Sequence, residues 1–445
     1  MNITDSFLEC LSQIAEIKLT SQILHQIKRC LLDYIGIVYA GRKQLGDKLN
    51  EIERIGNNDN CSIIGCNKKK ELYTAAMMNG FAAHVLELDD GHRVGAPHIG
   101  AVILSTMIGI AQKEHLSFES FVKGILIGYE ATIRVSTAIQ PSHKLKGFHA
   151  TGTCGVIGAA CAVGYALGLN DIQIKGAVSA AASAAAGLLQ VLDDDSELKP
   201  FNVSNAILSG ITAAYMGKCG FKGPEDVFGG KRGFFHAFCD EVKDERLIDQ
   251  NDTLAIFQHY VKPFASCRHS HPAVECVLGL CNRNRIIPAE IKEIEVQTYK
   301  LAIYSHDLTN ITSVSAAKMS TPFSIAVSIL LGTCGIDAFS EDTINRRDIK
   351  ELTKKVHIIE NSKLTAACPE KRGAIVLIRM RNGEEFVDKV ENPLGEPENP
   401  LTDTQLEEKY LSLMDYSGIS RKDSEKIKKM IWNLERNYKE FMEKI

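Results

Sequence analysis

Glu290-Ile291-Lys292-Glu293-Ile294-Glu295-Val296-Gln297-Thr298 alternates polar and apolar side chains along its whole length. A period of two is that of a strand with one buried face. Nothing upstream has this texture. Thr20 opens a helix through Ile23, Ile27, Leu31, Leu32 and Ile35, spaced by three and four, with Gly41 as its expected end. Further helices are predicted over 71–88, over 97–112 with Pro97 at the start, from Ser117 to about residue 138, and over 204–219 with Gly220 as the stop. Segments 151–167 and 171–189 are rich in Ala, Gly and Ser. Small side chains let helices approach closely, so these two are expected to cross at the centre of a core.

Downstream the strand texture continues. Strands are expected over 355–359, 374–380 and 385–390, the last two joined by the hairpin dipeptide Asn382-Gly383. Helices over 271–283, 322–331 and 346–354 lie between them. Proline-rich 392–400 reads as a linker. Two charged amphipathic helices follow, 402–414 and 421–444, with Ile427, Met430, Ile431 and Leu434 as an apolar stripe. Their texture matches the first part of the chain. The expected fold is therefore mainly α. A large all-helical domain is built from both chain ends, 1–260 plus 400–445, and a smaller α+β domain, 261–399, is inserted in it.

The 445 residues exceed one ordinary core, in keeping with two domains. Apolar residues make up 45% and charged residues 24%, values of a globular protein, and the net charge of −4 argues against a nucleic acid or an anionic membrane as partner. The longest apolar runs, 155–169 and 176–192, are short for a membrane span. Met1-Asn2-Ile3-Thr4-Asp5 lacks the basic start and apolar core of a secretory signal, and the 13 cysteines are scattered, so a reduced, cytoplasmic setting is expected. Cys61 and Cys66, like Cys276 and Cys281, lack the second close pair of a zinc site, and no metal is expected.

Four clusters could carry chemistry. Glu87-Leu88-Asp89-Asp90-Gly91-His92-Arg93, closed by Pro97-His98, packs titratable groups between two apolar helices. Acids are unfavourable at a helix C-terminus, which argues for a use for Asp89 and Asp90. His92 and His98 flank a short loop, and His98 sits where helix N–H groups favour an anion. Lys146-Gly147-Phe148-His149-Ala150-Thr151-Gly152-Thr153 places His149 before a helix that Thr151 or Thr153 could cap. Glu197-Leu198-Lys199-Pro200-Phe201-Asn202 is the third. Lys262 through His271-Pro272 holds Lys262, Arg268, His269 and His271 and no acid, an anion-binding pattern in which Arg268 could clamp a carboxylate with two hydrogen bonds. No dinucleotide fingerprint, P-loop, serine elbow or H-E-x-x-H motif occurs.

With these clusters in this order, the chain resembles the MmgE/PrpD family nearly end to end. Leu88-Asp89-Asp90 through His98, Gly147 to Gly152, Lys199 to Asn202, Lys262 through Pro272 and Ser315 to Phe323 carry the likeness. The family includes 2-methylcitrate dehydratase, cis-aconitate decarboxylase and iminodisuccinate epimerase. The resemblance implies a cofactor-free homodimer and places Asp89 or Asp90, His98, His149, Lys199, Lys262 and His271 at active-site positions, with His92, Thr151, Asn202, Arg268 and His269 beside the substrate. Asn202 stands where the family often has histidine, and the 90–98 loop and the 315–322 segment depart from the decarboxylase pattern.

The chemistry so implied is proton transfer at carbon next to a carboxylate of a small polycarboxylate. Histidine needs the least tuning to serve as base near neutrality, so His98 or His149 is expected to move the proton. Lys199, Lys262 and Arg268 are expected to hold carboxylates, and Asp90 to orient a histidine or accept a substrate hydroxyl. A hydratase/dehydratase of a citrate-like acid is the leading expectation. An epimerase or racemase of a succinyl-type acid comes next. A decarboxylase of an aconitate-like acid and a non-catalytic carboxylate binder follow.

Overall fold

The computed structural model describes residues 1–192, 196–248 and 253–445. It is mainly α, with a small α+β portion. The first core is layered helix on helix. Thr20 accepts a hydrogen bond from the Ile23 amide and starts the Ser21–Leu45 helix. That helix does not stop at Gly41. It runs on to Leu45, and Gly46, at φ 51°, ends it. Gly41 has a different duty. A Cβ there would lie 1.9 Å from the Ala82 carbonyl oxygen, so the backbones of the Ser21–Leu45 and Leu72–His84 helices touch at this point.

Glu71 caps the Leu72–His84 helix by accepting from the Tyr73 and Thr74 amides. The helix ends four residues before the expected boundary, because the chain turns at Glu87, a non-glycine residue at φ 54°. The next helix is Ile99–Glu114, starting two residues after Pro97 with His98 as its N-cap. The small-residue segment 151–167 forms two pieces, Ala150–Thr153 and Gly155–Ala166. The second packs between the Phe118–Ile139 and Lys199–Lys218 helices. Gly158 lets Thr132 in, and Gly210 lets Ala159 in, at distances no Cβ would allow. The second Ala-rich helix stops at Ser183.

The sheet orders its strands Val356–Glu360, Ile291–Thr298, Ala374–Met380, Glu385–Val390. The central Ile291–Thr298 strand is parallel to the first and antiparallel to the third. Ile294, Val296 and Thr298 face inward on the expected period of two, and a register shift between Ile291 and Glu293 brings Ile291 inward as well. Gly383, at φ 91°, turns the hairpin. The His271–Arg283 helix covers the sheet and packs in turn on the Thr321–Leu331 helix.

Past the linker, Leu406, Tyr410, Met414, Ile427, Met430, Ile431, Leu434 and Phe441 join the first core. The expected 421–444 helix is broken at Asn433 into Arg421–Trp432 and Leu434–Lys444. The second core, formed around the sheet, takes in Ile37, Ala40, Leu86 and Leu88 from the first part of the chain. The turn carrying Glu87 and Asp89 is thus wedged where the two cores meet. No single helix among the described residues is long and apolar enough to cross a membrane.

Candidate active site

Asp89 is the hub. Its Oδ2 lies 2.7 Å from Nδ1 of His84, the last residue of the Leu72–His84 helix, and 3.3 Å from Nδ1 of His98. His98 Nδ1 is also 3.0 Å from the Asp90 carbonyl oxygen. Each Nδ1 faces acceptors only, so both rings carry a proton there, and His98, which burial keeps neutral, presents a bare Nε2. His84 Nε2 is buried and meets no partner.

His149 has the opposite tautomer. The Asn202 side-chain nitrogen donates to its Nδ1 at 3.1 Å, and the same amide donates to the Leu188 carbonyl at 3.3 Å, which fixes the amide's orientation. Nε2 of His149 therefore carries the proton and donates to Thr151 Oγ1 at 3.0 Å. Thr151 also accepts from the His98 amide at 3.0 Å, so it ties the two histidines together rather than capping a helix. Ring centroids are 4.5 Å apart for His84 and His98, 6.0 Å for His84 and His149, and 6.3 Å for His98 and His149.

Burial disfavours charge on His98 and His149. It takes His98 down to about 4 against the pull of Asp89, and holds His149 well below its ordinary value, with the Lys199 charge adding to the effect. Asp89 shows the reverse balance: burial raises its carboxyl, but His84 and His98 outweigh burial and keep it ionised. At neutral pH the site holds the Asp89 carboxylate and neutral His98 and His149 rings.

Three lysines converge on the neighbouring turn. Lys199, at the start of the Lys199–Lys218 helix, pairs with the Glu87 carboxylate. Lys262 donates to the Glu87 carbonyl at 2.8 Å and lies 3.6 Å from its carboxylate. Lys318, from the Val314–Met319 helix, reaches the Val85 carbonyl at 3.4 Å. Burial raises the Glu87 carboxyl, but Lys199 and then Lys262 outweigh it and hold it low. Burial lowers Lys262, partly offset by Glu87, and brings Lys318 down to about 8.

Asp89, His98, His149, Thr151 and Asn202 are thus brought into one network, with Lys199 and Lys262 on Glu87 beside it. Other expected residues are engaged elsewhere. The Asp90 carboxylate turns into the core, accepting from the Gly100 amide at 2.8 Å and the Tyr129 hydroxyl at 2.7 Å; its carbonyl, not its carboxylate, meets His98. His92 accepts from the Gly95 amide and braces its own loop. Arg268, expected to clamp a substrate, has its Nε and one terminal nitrogen on Glu396, at 3.0 and 2.8 Å, and its other donors on the Pro393 and Leu394 carbonyls and on His271. His271 is completed by the Ser266 carbonyl. These two residues pin the linker. His269 meets the Tyr299 hydroxyl at 2.6 Å.

His84, Glu87 and Lys318 were not singled out by sequence. The signal for the first two lay in the same cluster: a histidine inside an apolar helix five residues before an aspartate, and a glutamate at the turn. Lys318 gave none beyond its place in the 315–323 segment. For metal binding, ring nitrogens of His84, His98 and His149 lie within 4.8 Å of one another, as do the ligand atoms of Cys267, His269 and His306. In the first group both His149 nitrogens already have partners, so a metal would have to break one of those bonds.

Three relatives align along almost the whole chain. A cis-aconitate decarboxylase-like protein of Aspergillus oryzae is 24% identical, over 98% of this chain and 95% of its own length. The cis-aconitate decarboxylases of Homo sapiens and Mus musculus are 23% and 22% identical, each over 92% of this chain and over 87% and 86% of their own lengths. The MmgE/PrpD N-terminal domain model matches residues 9–246 and the C-terminal domain model residues 264–436. Two models in tandem, spanning both cores and the turn between them, make this chain a member of the MmgE/PrpD family.

Proposed function

We propose that the protein is a lyase that moves a proton at carbon next to a carboxylate, and that its reaction is the hydration or dehydration of a citrate-like di- or tricarboxylate. The observation that carries this reading is the pair of opposed tautomers in one buried network. His98 offers a bare Nε2 backed by the Asp89 carboxylate, the arrangement of a general base. His149 carries its proton on Nε2, where it donates to Thr151 Oγ1; exchanging that bond for one to the substrate would supply a neutral donor to an oxygen that gains negative charge.

In the dehydrating direction His98 Nε2 takes the proton. The C–H electrons become the new double bond, and the carbon–oxygen bond breaks. Charge that builds on the carboxylate oxygens faces Lys199 and Lys262. The departing hydroxide needs a proton, and Lys318, which burial brings down to about 8, is the cation tuned closest to supplying one at neutral pH.

A second reading is favoured by the relatives, whose names give cis-aconitate decarboxylase. The same donors would stabilise the carbanion left by loss of carbon dioxide. Proton NMR of purified protein with a panel of polycarboxylates in D2O separates the cases. The expected result is interconversion of hydroxy acid and alkene with deuterium entering beside the carboxylate. Loss of carbon dioxide would assign the decarboxylase, and exchange without an alkene the epimerase. Tight binding with neither turnover nor exchange would leave a carboxylate binder.

A further inference from the structure

The segment from Lys262 to His271 holds a group that the proton transfer does not use, the Cys267 thiol. Cys267 is half-buried, unlike the buried thiols of Cys154, Cys161 and Cys276, so a small reagent can reach it. Its backbone is pinned. The amide donates to the Lys318 carbonyl at 2.8 Å, and the carbonyl accepts from the Ser270 amide at 3.0 Å and the Ser270 hydroxyl at 2.9 Å. His306 faces the sulfur, with Nε2 4.0 Å from Sγ. Its Nδ1 is 3.0 Å from the Met319 carbonyl, which can only accept, so Nδ1 carries a proton and Nε2 is turned to the thiol. Ser305, just before it, is a non-glycine residue at φ 61°, a costly conformation that the surroundings hold in place. A thiol, an imidazole beside it and a third group that orients the imidazole are the parts of an activated sulfur nucleophile.

The surroundings favour negative charge on the sulfur. His269 packs on His306, ring centroids 4.9 Å apart, and its Nδ1 meets the Tyr299 hydroxyl at 2.6 Å. Lys144, Lys199 and Lys262 each gain from an anion at Cys267. Burial raises the thiol, but His306 and then Lys262 outweigh burial and bring it down to about 6. His306 is raised in turn, Cys267 outweighing burial. The same lysines count against a metal ion. Cys267, His269 and His306 hold ligand atoms within 4.8 Å of one another, but a divalent cation placed among them would be repelled by the ammonium groups nearby.

We propose that Cys267 and His306 form a thiolate–imidazolium pair, a nucleophilic modification site for small anionic electrophiles. The lysines supply the preference for a negatively charged reagent. The inference stands apart from the proposed lyase reaction and needs no substrate to test it. With iodoacetate as the electrophile, an electron pair of the sulfur forms the new sulfur–carbon bond. The carbon–iodine bond breaks and iodide departs with its electrons. The proton of the thiol is already on His306, so the step needs no further base.

The test is alkylation of the wild-type protein at pH 6.5 with limiting iodoacetate or iodoacetamide, read peptide by peptide by mass spectrometry, with the exposed Cys219 as internal reference. An ordinary thiol is only about 1% ionised at that pH, and the weaker nucleophilicity of a more acidic thiolate offsets part of the gain. Cys267 is therefore expected to react about fivefold faster than Cys219 with iodoacetate. Its ratio of iodoacetate to iodoacetamide rates should exceed that of Cys219. His306→Gln should slow Cys267 about fivefold and leave Cys219 unchanged. The comparison of the two thiols in the wild type needs no variant, so it decides the matter even if His306→Gln folds poorly. Cys267 reacting more slowly than Cys219 with both reagents overturns the proposal, as does an undiminished Cys267 rate in His306→Gln. A preference of Cys267 for the neutral reagent, relative to Cys219, overturns the anionic class. Cys267 that reacts only after a chelator is added also overturns it, by assigning Cys267, His269 and His306 to a metal ion.

Discussion

Asp89 spends one negative charge on two imidazoles. It holds a proton on Nδ1 of both His84 and His98, and so leaves the His98 Nε2 free for the proposed role of base. Asp89→Asn keeps the size of the side chain but places an amide donor where the rings need an acceptor. The His98 tautomer then loses its anchor, and turnover is expected to fall by about 10²- to 10⁴-fold, the range typical of a misoriented general base. Steady-state rates on the substrate found by NMR would check this, with far-ultraviolet circular dichroism confirming the fold. A rate within threefold of wild type would remove Asp89 from the mechanism. At this scale Asp89, His98 and His149 were legible because titratable side chains crowd an apolar junction. Which aspartate serves the histidines was not, since neighbouring carboxylates point opposite ways and only the fold decides which one meets Tyr129. The true partner of Arg268 was hidden too: Glu396 lies in the linker, 128 positions away.

Helices position these side chains by where they stop. The Leu72–His84 helix must end at His84 for Asp89 to fold back on it, and the Ser21–Leu45 helix holds it in place through the contact at Gly41. Gly41→Ala would drive a methyl group into the Ala82 carbonyl, a backbone atom that cannot swing aside. A loss of about 1–3 kcal/mol is expected, the usual cost of overpacking, together with lowered turnover as the His84 end of the helix shifts. Urea denaturation and steady-state kinetics would measure both, and a variant as stable as wild type would show that the two helices can part freely. Glycine punctuates helices and also lets them touch, and the sequence does not say which. Gly41 reads as a stop because it follows the last clear apolar spacing, yet the true stop is Gly46. The alternating 290–298 segment was far easier to read, because a period of two has no helical counterpart.

At the scale of the whole molecule, two cores meet at a junction crowded with buried histidines, and that arrangement sets how the protein responds to acid. Burial takes His92 to about 3, and His98 and His143 to about 4; His149, His269 and His271 lie well below their ordinary value, also through burial. In the unfolded chain each returns to about 6.5. Between the folded and unfolded values the unfolded chain binds more protons, so stability falls as pH falls, by about 1.4 kcal/mol per pH unit for each fully participating histidine. His306 acts in the opposite sense. Its folded value is raised, Cys267 outweighing burial, so its contribution is present below the unfolded value and lost as pH rises through the folded one. Asp33, raised by burial to about 6, and Asp90, Glu130 and Glu275, also raised by burial, act in the same sense as His306, but the histidines held down by burial outnumber them. Asp89 and Glu87, held low in the fold, weaken it only once pH approaches the unfolded carboxylate value near 4. The acid transition should therefore begin near pH 6, above the carboxylate range. Urea midpoints measured at pH 7.5, 6.5, 5.5 and 5.0 are expected to drop at each step below 6.5, with net proton uptake on unfolding of about two or more at pH 5.5. A midpoint that stays level down to pH 5 would mean that water reaches these histidines and that the junction is not the dry, neutral site on which the proposed proton transfer depends.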